Sequence, residues 1–155
     1  MDGDVEPAEA VEELLEEVTR ALGLDATIEV VDDGEIVTGT VHGEDLGLFI
    51  GRHGQTIDAV QHLAQRVAGA RQADGRRIVI DAEAYRERRE AMLHRQADHA
   101  VDDALRHGRP VALDAMTAGE RRLVHEYLRD HEQVQTYSEG DEPDRHLVVA
   151  PMDPG

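Results

Sequence analysis

"GLFIGRHGQTIDAVQHLAQ", residues 47–65, decides how the first half of the chain reads. Leu48, Phe49 and Ile50 form an apolar run that stops at Gly51-Arg52-His53-Gly54. Ile57, Val60, Leu63, Ala64 and Val67 then recur at helical spacing. Two glycines three apart let a loop backbone approach a ligand closely, and the unpaired N–H groups that open the next helix carry a positive dipole end. The arrangement suits a phosphate. An ordinary corner between two helices uses the same letters and accounts for the glycines as well; if a phosphate does bind, Arg52 is its clearest partner, because no fold needs an arginine at a glycine corner.

Toward the N-terminus, "ATIEVVDDGEIVTGTVHG" gives two β-rich runs around Asp33-Gly34, a favoured hairpin pair. Before it, Val11, Leu14, Leu15, Val18, Ala21 and Leu22 predict an amphipathic helix over 7–22, with Pro7 near its start and Gly23 just past its end. "EDLGLFI" reads as a short helix and "RRIVIDA" as a strand. Residues 7–82 thus follow the order α-β-β-α-α-β.

Toward the C-terminus, a long helix is predicted from Tyr85 to His107, with Leu93, Ala97, Ala100, Val101, Ala104 and Leu105 on one side. Arg106 and His107 suit its C-terminal dipole, and Gly108 and Pro110 stop it. Its 23 residues would span roughly 35 Å at about 1.5 Å each, enough to bridge two units as a stiff spacer. "PVALDAM" reads as a strand and "TAGE" as a capping box, Thr117 answered by Glu120. Leu123, Val124, Tyr127 and Leu128 are the expected buried face of the next helix. "EQVQTYS" and "DRHLVVA" then pair as strands around "EGDEP". The expected fold class is α+β in two small domains, with loose ends at 1–6 and 151–155 and no internal repeat.

Composition limits what such a chain does. With no cysteine, disulfides, thiolate metal sites and cysteine nucleophiles are excluded. One Phe, three Tyr and no Trp leave few aromatic surfaces for base stacking. The acidic start and the lack of any long apolar stretch predict a soluble, cytoplasmic protein without membrane insertion. The net charge of −18 is uneven. Residues 1–50 carry 15 acids and one Arg, 51–129 carry 12 acids and 14 Arg, and 130–155 carry seven acids and one Arg. All 16 basic residues are arginine, the better fork for phosphate, although a solvated acidic surface with ordinary ion pairs accounts for the same balance.

A second basic group lies on the helix after Thr117. Arg121 and His125 stand at i and i+4, with Arg129 one turn on; together with Arg122 they occupy an arc of roughly 100°, turned away from the expected apolar face. A solvated helix face has the same spacing.

The pattern Ile50-Gly51-x-x-Gly54-x-x-Ile57, inside the α-β-β-α-α-β order, resembles a KH domain of the type II order, whose G-x-x-G loop clamps about four single-stranded nucleotides. "GRPVALDAM", "ERRLVHEYL" and "TYSEGDEPDRHLVV" resemble, in this order, the R-3-H domain, named for an arginine and a histidine with three residues between them. The layout is similar to that of the bacterial Jag family, also called SpoIIIJ-associated or KhpB proteins. The resemblance divides the chain into an acidic stub at 1–6, a KH domain at 7–82, a bridging helix and R-3-H domain at 83–150, and a tail at 151–155. By it, Gly51, Arg52, His53 and Gly54 hold the sugar-phosphate backbone, and Ile50 and Ile57 give an apolar floor for bases, a place that plain core packing fills as well. Arg121 and His125 are its signature pair, with Arg122, Arg129 and Arg145 as further RNA-binding residues. Ser138, Gly140 and Arg145 match its closing strand-turn-strand segment. Ala115 departs from the proline that relatives tend to have before the methionine, and the acidic stub stands where many members carry a basic domain.

The resemblance implies a single-stranded RNA-binding protein, an RNA chaperone or post-transcriptional regulator linked to cell shape and envelope homeostasis, with a small KH-only protein as partner. Homo-oligomers, single-stranded DNA in place of RNA, and a protein-interaction module remain open. No catalytic residue, metal or cofactor is expected: H-E-x-x-H, a nucleophile elbow and a Walker loop are all missing, and His94 with Asp98 is the best metal-like pair.

Overall fold

The computed structural model describes residues 5–68 and 75–153. Most of the expected stub, and residues 154 and 155 of the tail, lie outside them. The chain divides into two compact units, Met1–Arg86 and Glu87–Gly155. Both mix helix and strand, so the α+β class holds.

In the first unit, helix α1 (Pro7–Ala21) starts with proline at its first turn and precedes the hairpin β1 (Thr27–Asp32) and β2 (Ile36–His42). Asp33 fixes that turn: its Oδ1 accepts the backbone N–H groups of Glu35 at 2.8 Å and Ile36 at 2.7 Å. Helix α2 (Gly47–Ile50), a 3-10 turn at Arg52–Gly54 and helix α3 (Gln55–Ala68) follow, and β3 (Arg77–Ala82) closes the unit. The sheet order is β1-β2-β3, with β1 and β2 antiparallel and β2 and β3 parallel. A parallel pair needs a crossover, and the two helices with the glycine loop between them supply it.

The core of this unit joins Val11 and Leu15 of α1, Val37 and Val41 of β2, Ile78 and Ile80 of β3, Phe49 of α2, and Ile57, Val60 and Ala64 of α3. Ile57 is fully buried, which corrects its expected place on a base-binding floor; Ile50 is half-buried at the edge of the same cluster. Leu63 and Val67, expected on the packed side of α3, are 49% and 41% exposed. The buried stripe runs instead through Ile57, Val60, Ala64 and Ala68.

In the second unit, the buried side of α4 (Tyr85–His107), namely Leu93, Ala97, Ala100, Val101 and Ala104, joins Val124, Leu128, Val134, Leu147 and Val149 in one core. Leu105, expected on that side, is 37% exposed. Strand β4 (Val111–Ala115), helix α5 (Ala118–Leu128), β5 (Val134–Glu139) and β6 (His146–Pro151) complete the unit, with sheet order β4-β6-β5 and antiparallel pairing throughout. The capping box forms, and one carboxylate serves twice. Glu120 Oε1 takes the Thr117 N–H while its Oε2 takes Arg89 Nε of α4 at 2.5 Å. Tyr127, expected in the core, is 42% exposed: its hydroxyl donates to Asp98 at 2.9 Å and its ring stacks on His94 at 4.0 Å. The metal-like pair on α4 therefore holds a tyrosine of α5. Among the described residues no group of three metal-ligating side chains occurs.

Candidate nucleic-acid interface

The glycine loop of the first unit has the backbone that its sequence demands. Gly51 sits at φ 76°, ψ 174°, a region for glycine, and an added Cβ would collide with Thr56 Oγ1. Gly54, at φ 77°, would place a Cβ 2.7 Å from the Tyr85 hydroxyl oxygen. His53 between them adopts the left-handed conformation, φ 55° and ψ 24°, which is uncommon for a residue with a Cβ. Local strain of this kind is kept where the surroundings determine the loop. Arg52 is exposed, His53 half-buried, and neither makes a side-chain hydrogen bond or ion pair among the described residues. Two basic side chains that make no ion pair among the described residues thus sit between the two glycines.

The second unit gathers its motif residues from three elements. Arg121, Arg122 and His125 of α5, Thr136, Tyr137 and Ser138 of β5, and Arg145 just before β6 line an open hollow of about 360 Å³. Arg145 donates from Nη1 to the Gly140 carbonyl at 2.6 Å, so the turn between β5 and β6 holds it in place. Ser138 and Gly140, picked out by the closing motif, belong to this same wall and turn.

Arg121 departs from expectation. It is buried, 8% exposed, rather than turned away from the core. Its Nη1 donates to the Met116 carbonyl at 2.5 Å and its Nη2 to Glu142 Oε1 at 2.6 Å. The side chain thus ties the start of α5 to the β5–β6 turn and presents only an edge to the hollow. His125 meets Thr136 Oγ1 through Nδ1 at 2.5 Å, while Nε2 has no partner among the described residues. Arg122 is exposed and pairs with Glu126 at 3.2 Å. Arg129, exposed at the end of α5, shares that glutamate at 4.0 Å and is not among the residues lining the hollow.

Sequence reading missed Thr136 and Tyr137. Thr136 alternates with Ser138 on the face of β5 that meets α5, a period-2 signal that was legible once the strand was assigned. Tyr137 lies between them on the strand and is 44% exposed.

Residues 8–81 match the family model described as KhpA/KhpB, KH domain, and residues 91–151 match that of the R-3-H domain. The chain is 34% identical over 140 residues to the RNA-binding protein KhpB of Clostridium symbiosum, a match covering 89% of this chain and 63% of the relative. It is 38% identical over 133 residues to the RNA-binding protein KhpB of Lactiplantibacillus plantarum, covering 86% and 41%. For the protein of that name in Bacillus subtilis the identity is 28% over 148 residues, covering 94% and 71%. The chain therefore spans 63% and 41% of the lengths of the first two. With both domain matches in this order and relatives of one name along nearly its whole length, the chain belongs to the Jag, or KhpB, family, a KH domain followed by an R-3-H domain.

Proposed function

We propose that this chain binds single-stranded RNA through two surfaces: the glycine loop, with Gly51, Arg52, His53 and Gly54, and the hollow lined by Arg122, His125 and Arg145. The observation that carries the reading is the pair Arg52 and His53, two basic side chains without an acidic partner among the described residues, on a turn whose glycines both take positive φ. The relatives named RNA-binding proteins support it. Ile50 lies beside the loop and is available to a base; Ile57 is not. The finer reading is that of an RNA chaperone or post-transcriptional regulator in the cytoplasm, working with a small KH-only protein and contributing to cell shape and envelope homeostasis. No catalytic step is assigned.

Contact with a protein partner is a second reading that one observation favours. Leu63 and Val67 stand at i and i+4 on α3 and are about half exposed. That apolar strip suits the KH-only protein better than it suits a polyanion.

Fluorescence anisotropy with labelled single-stranded RNA, single-stranded DNA and duplex RNA tests the reading. Saturable binding of the single-stranded RNA, with duplex at least about tenfold weaker, is the expected result. Equal affinity for RNA and DNA would widen the ligand class, and no binding to any of the three would leave protein contact as the function. Incubation of the pure protein with the same RNA and divalent metals should leave the strand intact.

A further inference from the structure

Arg121 is the only buried charged side chain among the described residues, and its ion pair is lopsided. The arginine side chain is 10% exposed and the Glu142 side chain 61%. Nη1 reaches two neutral acceptors, the carbonyls of Met116 at 2.5 Å and Arg145 at 3.4 Å. Glu142, through Nη2 at 2.6 Å, is its one counter-charge among the described residues. The cation is thus fixed in the wall of the hollow, while its anion rides on an exposed turn that also carries Asp141 and Asp144.

A phosphate oxygen and a carboxylate oxygen present the same chemistry to a guanidinium: negative charge and an acceptor that takes an N–H fork. A buried arginine that loses its counter-ion is strongly destabilised, so any departure of Glu142 has to be matched by the arrival of another anion. Arg122, His125 and Arg145 bring one to the right place by lining the same hollow. We propose that Glu142 is a built-in competitor for phosphate: in the free chain its carboxylate occupies the Nη2 donor of Arg121, and a bound strand takes that donor over as the carboxylate swings into solvent. The proposal rests on the RNA-binding reading of this hollow. It makes Arg121 a phosphate contact only in the complex and gives the turn at 140–145 the role of a gate that weak anions do not open.

Binding by the full chain to a labelled single strand of about 12 nucleotides, measured across a salt series, tests it. Glu142→Gln keeps an acceptor for Arg121 without the charge, and Glu142→Ala removes both. Both variants should bind at least about threefold more tightly at about 50 mM salt, with the log–log salt slope steeper by about 0.7, because Arg121 then meets phosphate without first giving up a protein carboxylate. Asp144→Asn removes the same charge from the same turn without touching Arg121, and should fall well short of that gain. Unchanged or weaker binding by both Glu142 variants, or equal tightening by Asp144→Asn, would overturn the gate. A His125→Ala, Arg145→Ala double variant separates the two layers of the argument. If it loses affinity while the Glu142 variants do not gain any, the hollow is an RNA site and Glu142 only clamps its turn. If it binds like the unmodified chain, the reading of the hollow fails along with the gate.

Discussion

A guanidinium in the wall of a core needs acceptors, and at Arg121 two carbonyls and a carboxylate supply them. Replacing it with alanine leaves the Met116 carbonyl without its donor and the β5–β6 turn without its tie, so Arg121→Ala should cost about 1–3 kcal/mol or more in urea unfolding. Arg122 is 81% exposed, and Arg122→Ala should change stability by less than about 0.5 kcal/mol while weakening RNA binding. Of the two adjacent arginines, only Arg121 should then matter to stability. In the glycine loop, replacing both Arg52 and His53 with Asp puts negative charge where phosphate is proposed to lie. Binding should drop at least about tenfold with the melting temperature nearly unchanged. A gel-shift titration with unaltered affinity would remove this loop from the site.

At the scale of elements, α5 is defined by what caps it and what it leans on. Tyr127 donates to Asp98, and the resulting hydrogen bond, with smaller help from desolvation and the carboxylate's charge, holds the phenol above its ordinary value of 10.0. A raised folded-state value means that this contribution to stability is complete below pH 10 and is lost as pH rises through the folded-state midpoint. Asp98→Asn should therefore move the absorbance titration of Tyr127 back toward the ordinary value. A midpoint that does not move would show that the hydrogen bond is absent in solution. The helices, their caps and the hairpin were legible in the sequence because each carries its own signal: proline at the first turn of α1, the Thr117–Glu120 box, and Asp33-Gly34 between β-branched runs. What was not legible is which side of an apolar stripe faces inward. At about 100° per residue, Leu123 and Tyr127 draw the expected stripe of α5 away from Arg121, whereas the buried residues Arg121, Val124 and Leu128 lie at i, i+3 and i+7. A tyrosine with a polar end and an arginine with carbonyls to satisfy exchange the places that hydrophobicity alone assigns them. On α3 the small residues Ala64 and Ala68 face the core while Leu63 and Val67 face out, the reverse of what side-chain size suggests.

For the whole molecule, the two surfaces belong to separate units of one chain, so a strand held by one meets the other at an effective concentration rather than at its bulk concentration. With few arginines at each surface and 34 acids in the chain, few counterions should be released on binding. The log–log salt slope should be shallow, roughly −2 to −4 at about −0.7 per phosphate, and a slope near about −8 would require a basic surface far larger than these two. On the proposed reading, a strand long enough to reach both the loop and the hollow should gain affinity from engaging the two. The most direct test is affinity against RNA length, from about 4 to 20 nucleotides, for the unmodified chain, an Arg52→Asp, His53→Asp variant and an Arg122→Ala, His125→Ala variant. A steep rise in affinity beyond a threshold length, flattened in both variants, is the predicted result. Affinity that grows only with the number of overlapping registers, with one variant indistinguishable from the unmodified chain on the longest RNA, would contradict it.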